Sequence, residues 1–314
     1  MSKRQSARYS RRQFGKLALS TVSAFGVPVV VPVVVRAFRP AKVLSGESAG
    51  VIDSRIKGVR VGAITYSFRA IADANGIVRA MASMGLGEAE LMANHAEALA
   101  GAPGGNNDAW RRSTSPDTWK RVRGIFDAAG ISLRLLTYNM NVKTTSDEAI
   151  EYGFAMARGL GVDAITTSTQ VSMAKRVAPF ADKHKMPVAY HGHANLTDAD
   201  EVATPASFAT CLSYSRFHRI NLDIGHFTAA GFNPVDFLRT NHAQITNLHL
   251  KDRQSPARGA ANVPWGEGDT PIKEVLQLLS REKWDIPANI EFEYPGDPLV
   301  EVPKCFQFCK NALG

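Results

Sequence analysis

Three cysteines in 314 residues are too few for a disulfide framework. Cys305 and Cys309 lie four apart on an expected terminal helix and Cys211 stands alone, so the thiols read as structural. The chain has no internal repeat of short period and no low-complexity tract beyond its N-terminal apolar run, which argues against a solenoid or fibrous protein. It also lacks a glycine-rich phosphate turn after the first expected strand, which leads instead into Tyr66-Ser-Phe-Arg69. A doubly wound dinucleotide fold loses its support there. A surplus of positive charge is missing too, once its location is considered. The formal charge is +8, but residues 1–42 hold nine basic residues and no acid, so 8 − 9 leaves −1 on the remainder. A near-neutral body argues against nucleic acid as a partner.

What the N-terminus does contain is a targeting pattern. Ser10-Arg-Arg-Gln-Phe-Gly-Lys16 resembles the twin-arginine export signal, and an apolar run from Leu17 to Val35 follows directly. The run is long enough to span a bilayer if it stays attached, and no clear A-x-A cleavage site is visible. The expectation is a periplasmic or exported protein that meets the twin-arginine machinery, tethered to the membrane if the signal is not cleaved. Residues 1–42 are assigned to the signal, 43–57 to a linker and 58–314 to one domain.

From residue 59 the pattern alternates between short apolar strands and helices of about a dozen residues. Strands are expected near 59–67, 86–92, 131–138, 162–168, 187–193, 219–224, 244–250 and 286–294. Helices are expected after Ser115-Pro116, from Ser146 with Asp147 and Glu148 in its first turn, and over 270–282. Eight strands alternating with helices in this length predict an α/β fold, a single (β/α)8 TIM barrel. The 45 % hydrophobic content is sufficient for its core. Two longer segments, 94–115 and 252–269, follow strand C-terminal ends and are expected to form lids.

Four successive strand segments carry the chemistry. Side chains alternate with period 2 along a strand, so His191 and His193, Asn221 and Asp223, His249 and Lys251, and Glu291 and Glu293 each share a face. The other face carries Val188, Tyr190, Leu222, Leu248, Leu250, Ile290 and Phe292, suited to packing under helices. Polar groups inside a barrel are costly unless paired or bound to something, so the set points to one divalent metal ion. Asp223, His249 and Glu291 are the expected ligands, with one imidazole of the His191/His193 pair completing the set and the other meeting substrate. Plainer roles exist for each: Asp223 capping the next loop, His249 as a core residue, Lys251 pairing with a carboxylate. Glu293 is the expected base, Lys251 the expected positive charge beside a developing oxyanion, and His226 a contact to substrate or to Asp223. Glu88 and Glu90 are expected to end the second strand, with Glu90 binding substrate or serving as acid and base. A mixed nitrogen and oxygen shell suits Mn²⁺ or Co²⁺, then Zn²⁺, Fe²⁺ or Mg²⁺, better than Ca²⁺.

Ala189-Tyr-His-Gly-His193, Leu222-Asp-Ile-Gly-His226, Asn247-Leu-His-Leu-Lys-Asp-Arg253, Pro264-Trp-Gly-Glu-Gly-Asp269 and Asn289-Ile-Glu-Phe-Glu-Tyr294 together resemble the sugar phosphate isomerase/epimerase-like superfamily, the xylose-isomerase-like TIM barrels. The type resembled most is the inosose dehydratase or 3-keto-glycoside lyase. The resemblance implies metal ligands from the fifth to eighth barrel strands, commonly Glu, Asp, His and Glu. Asp223, His249 and Glu291 match, while His191 stands where the first glutamate is expected. Ketose 3-epimerases use two metal-bound glutamates, so this departure favours one-sided proton abstraction beside a ketone, through an enediolate, with β-elimination. The implied substrate is an unphosphorylated keto-sugar, keto-glycoside or inosose. A sugar isomerase without elimination, a phosphodiesterase of the apurinic endonuclease type and a non-catalytic periplasmic sugar-binding protein are the alternatives. A homo-oligomer is left open.

Overall fold

The computed structural model describes residues 50–105 and 107–314. The expected export signal and the first part of the expected linker lie outside the described residues. A two-residue strand, β1 (Arg55–Ile56), pairs antiparallel with β2 (Val59–Ile64). Then follow β3 (Glu88–Met92), β4 (Ser132–Thr137), β5 (Ala164–Ser168), β6 (Val188–His191), β7 (His218–Asp223), β8 (Ile245–Leu250) and β9 (Ala288–Ile290). Each pairs parallel with its predecessor and β9 closes on β2, so β2 to β9 form the expected (β/α)8 barrel.

Local chemistry sets the helix starts. Ser115 heads the helix Pro116–Ala128 in a capping box, and Ser146 accepts from the Ala149 N–H to open Asp147–Leu160. The helix Ile272–Glu282 buries Ile272, Val275, Leu276 and Leu279, the stripe that its spacing predicts. These helices cover the outer barrel face, where Tyr190, Leu222, Leu248, Leu250 and Ile290 are fully buried. Each such side chain contributes about 1.5–3 kcal/mol.

Several boundaries differ from expectation. Residues 52–56 are fastened to the barrel rather than serving as linker. The Ile52 N–H donates to Gly130 O, and the buried Ser54 hydroxyl donates to Val61 O. Gly87 is required there, because a Cβ on it would lie 1.8 Å from Ile52 O. The last strand ends at Ile290, not 294, because Ser67 replaces the ladder. Its hydroxyl donates to Ile290 O and accepts from the Phe292 N–H. The segment 94–115 contains two short helices, Ala93–Leu99 and Asp108–Ser113, the first of them in alanine-rich sequence. Glu88 opens β3 at the N-terminal end of the barrel, beside the buried Arg60 at 3.7 Å, instead of ending the strand. Among the described residues, no helix is long and apolar enough to cross a membrane.

Candidate metal centre

At the C-terminal ends of β6, β7, β8 and β9, four buried side chains converge. His191, Asp223, His249 and Glu291 each offer one ligand atom, and those atoms all lie within 4.8 Å of one another. The register explains the meeting. His191 pairs with Asn221, Asp223 with His249 and His249 with Asn289, so the alternation carries the four to one level of the barrel.

Three of the members are held by their other atoms. Asp223 Oδ1 accepts from the His226 N–H at 2.6 Å, capping a short helix. Gly225 in that cap allows close approach, since a Cβ there would sit 2.7 Å from Lys251 O. His249 Nε2 lies 2.8 Å from Glu90 Oε2, and His191 Nδ1 lies 3.4 Å from the Ser168 hydroxyl. The remaining atoms, His191 Nε2, Asp223 Oδ2, His249 Nδ1 and Glu291 Oε2, are buried and make no hydrogen bond. His191 Nε2 faces Asp223 Oδ2 at 3.4 Å and His249 Nδ1 faces Glu291 Oε2 at 3.1 Å without a hydrogen bond, and a shared cation would satisfy all four atoms. Two imidazoles and two carboxylates are a donor set that fits one divalent ion.

Glu90 corrects one expectation. Its carboxylate is fully buried and is not among the groups that line the cavity, so it is placed to support His249 rather than to reach substrate directly. It accepts from Thr137 and Thr166 at 2.9 and 2.6 Å and from Asn247 and Asn289 at 3.0 and 2.8 Å, besides His249. Burial alone would raise its pKa, but the His249 imidazole and these donors hold it below the usual carboxylate range. Glu90 therefore keeps a proton on His249 Nε2 and turns Nδ1 toward the centre.

Above the four ligands is a cavity of about 350 Å³, walled by Tyr66, Asn139, His193, His226, Lys251 and Glu293 among others. Lys251 Nζ donates to Glu293 Oε2 at 2.6 Å and lies 3.1 and 3.0 Å from Asp223 Oδ2 and Glu291 Oε2. Burial would lower its pKa, but Asp223, Glu291 and Glu293 more than offset this and keep the ammonium charged. The same burial raises Asp223, and Lys251 with the neighbouring imidazoles drives it well below the usual carboxylate value. His226 faces Lys251 from Nε2 and Arg253 from Nδ1, and burial keeps it neutral. His193, expected beside His191, stands just beyond β6 with its ring 4.9 Å away. The plainer roles of Asp223 as a cap and Lys251 as an ion-pair partner are thus realised alongside convergence.

Sequence reasoning missed several supporting groups. Glu201 holds His193 Nδ1 at 2.6 Å, Asn262 reaches Glu293 Oε2 at 3.3 Å, and Asn247 and Asn289 hold Glu90. Only the asparagines carried a signal, lying two positions before His249 and Glu291 on the same face. The lid segment 252–269 is tied down by Asp252, which accepts from the Gly266, Gly268 and Thr270 N–H groups. All three cysteines are buried and free, as expected. A larger groove of about 540 Å³ lies between the helices Pro234–Asn241 and Ile272–Glu282, lined by solvated charges such as Asp236, Arg239 and Arg281.

The sequence model of a family described as "Xylose isomerase-like TIM barrel" matches residues 67–310. No curated protein sequence matches the chain. Similar solved structures include the probable 3-DHS dehydratase AsbF involved in petrobactin synthesis, from Bacillus anthracis. It is 19 % identical, with 81 % of this chain and 97 % of that one covered at a TM-score of 0.59. D-psicose 3-epimerase with D-tagatose from Clostridium cellulolyticum H10 is 13 % identical, covering 81 % and 99 % at a TM-score of 0.59. An IolI protein with a bound zinc atom is 12 % identical, covering 81 % and 96 % at a TM-score of 0.57.

Proposed function

Since this chain belongs to the xylose isomerase-like TIM barrel family, we propose that it is a divalent-metal-dependent lyase of unphosphorylated keto-sugars, keto-glycosides or inososes. The observation that carries this reading is the convergence of four buried ligand atoms, none of them hydrogen-bonded, beneath a cavity that also holds a carboxylate and an ammonium. A cation held by His191, Asp223, His249 and Glu291 supplies Lewis-acid polarisation of a ketone and stabilises negative charge on its oxygen. A zinc atom bound in the distant IolI structure is consistent with metal binding on this scaffold.

The chain's own residues supply the proton chemistry. Glu293 is anchored through Oε2 to Lys251 and Asn262, which leaves Oε1 to take the proton from the carbon beside the ketone. The Lys251 ammonium lies between Asp223, Glu291 and Glu293, where it adds positive charge to the oxygen that becomes negative. The electron pair left on carbon then forms the C=C bond as the bond to the group on the next carbon breaks, and the proton taken by Glu293 passes to the departing oxygen, so that the group leaves as water or an alcohol and Glu293 returns to its carboxylate. His193, tied to Glu201 through Nδ1, lines the cavity beside this carbon chain. One-sided chemistry is favoured because His191 stands where two-carboxylate epimerisation would need a second base. The dehydratase and the epimerase among the similar structures show that this fold accommodates both outcomes in other proteins. The Ser10–Lys16 pattern supports export through the twin-arginine route, which in turn supports a substrate without phosphate.

The test is incubation with 3-keto-glycosides and inososes in deuterated water, followed by NMR. Release of water or aglycone supports the lyase. Deuterium incorporation without bond cleavage converts the reading to an isomerase.

A further inference from the structure

We infer that the centre has a second sugar subsite, on the β4–β6 side of the cavity, so that its substrate is a keto-glycoside whose second unit is itself polyhydroxylated. This rests on the keto-sugar reading above and narrows it. The central cavity does not end above the metal ligands. A second cavity of about 330 Å³ shares Asn139, Ser168 and His193 with it and continues toward Thr169, Gln170 and Glu201. The lid segment 252–269 is bound down by Asp252 and by Asn262 on Glu293, and none of its residues lines either cavity. A ligand larger than one ring therefore extends past β4 and β5.

The shared boundary is chemically prepared. Asn139 Oδ1 is fixed by the Ser168 N–H at 2.9 Å, which orients the amide and leaves its Nδ2 protons without a protein partner. His193 is fixed through Nδ1 by Glu201 at 2.6 Å, which leaves Nε2 free to accept. A preorganised donor beside a preorganised acceptor suits hydroxyl groups, which both give and receive a hydrogen bond. The rest of the arm is hydroxyl and amide: Thr144, Thr145, Thr169 and Gln170. An aryl second unit would find no Phe, Tyr or Trp face among the lining residues of this arm, whereas a second sugar finds partners along it. A neighbouring cavity of about 350 Å³ also adjoins Asn139, but its charged groups are paired with each other. Arg111 forks onto Glu97 at 2.8 and 3.1 Å, and Tyr152 donates to the same carboxylate. That leaves the Thr169–Glu201 arm as the receiving one.

The test compares metal-loaded full-length protein binding glucose with its binding trehalose, cellobiose and sucrose, by calorimetry or saturation-transfer NMR. The inference expects at least one disaccharide to bind tenfold or more tightly than glucose. Gln170→Ala, which lines only the outer arm, should lower disaccharide binding severalfold while leaving glucose binding within twofold. Asn139→Ala, at the boundary shared by the two cavities, should also remove most of the disaccharide advantage and is read in parallel in case the first variant folds poorly. Equal binding of mono- and disaccharides, or a disaccharide advantage untouched by both variants, overturns the subsite. Failure to load metal at all would instead sink the function proposed above, so the two failures are told apart by metal content measured beforehand.

Discussion

His249 Nε2 lies 2.8 Å from Glu90 Oε2, a contact between residues 159 positions apart that decides which face of the imidazole looks into the metal centre. Glu90 accepts four further hydrogen bonds, so its negative charge is fully used where it stands.

Replacing Glu90 by Gln puts an amide NH₂ among groups that all donate. Metal affinity should fall about 10- to 100-fold, as for lost support of a metal-bound histidine. Stability should fall by about 3–5 kcal/mol, because a buried pair is broken. Metal titration and thermal unfolding check the two effects. Wild-type affinity in the variant would remove the positioning role.

Glu293→Gln tests the base. The side chain lies outside the four-ligand set, and its Oε2 contacts to Lys251 and Asn262 are reproducible by an amide oxygen. Turnover should drop at least about 10²-fold, with metal content at the wild-type level. Loss of metal together with activity would instead place Glu293 in the coordination shell.

Lys251→Met removes the ammonium beside Asp223 Oδ2 and Glu291 Oε2 while keeping the stem. A cation competing for those oxygens disappears, so metal should be held as tightly as in wild type or more so. The rate should fall about 10²–10³-fold if the ammonium stabilises charge in the transition state. A variant that sheds metal would contradict this assignment.

Away from the centre, His218 is buried with Nδ1 donating to Cys211 O at 2.7 Å and Nε2 accepting from the Tyr190 hydroxyl at 3.0 Å. Burial lowers its pKa below the usual value near 6.5. The unfolded chain therefore takes up the proton first as pH falls. The stability this residue contributes is present above about pH 6.5 and declines below it toward the folded pKa. Thermal unfolding from pH 8 to 5 at fixed metal content should show a steeper decline for wild type than for His218→Gln, although the variant is less stable throughout. Parallel curves would show that His218 is not the group responsible.

Much of the centre was legible because strand alternation is a strong, short-range signal. Asp223 with Asn221, His249 with Lys251 and Glu291 with Glu293 each declared an inward face within one segment. All eight barrel strands were readable for the same reason. What escaped depends on register between distant segments. Nothing near Glu90 in sequence shows that it will lie under His249; that follows from Ile64 pairing with Glu90 and from closure of β9 on β2. Glu201 and Asn262 sit in irregular segments, where no periodicity says which way a side chain turns. The ends of β6 and β9 were misjudged because the His193 N–H turns to Val202 O and Ser67 bonds to Ile290 and Phe292, tertiary contacts that interrupt otherwise strand-like sequence.

One cation shared by His191, Asp223, His249 and Glu291 underlies every step of the proposed chemistry. Full-length protein should be reconstituted with Mn²⁺, Co²⁺ or Zn²⁺, dialysed and assayed for metal beside Glu291→Gln. One ion per chain in the wild type, largely lost from the variant, is the predicted result. No retained ion, two or three ions per chain, or equal retention by Glu291→Gln would contradict it.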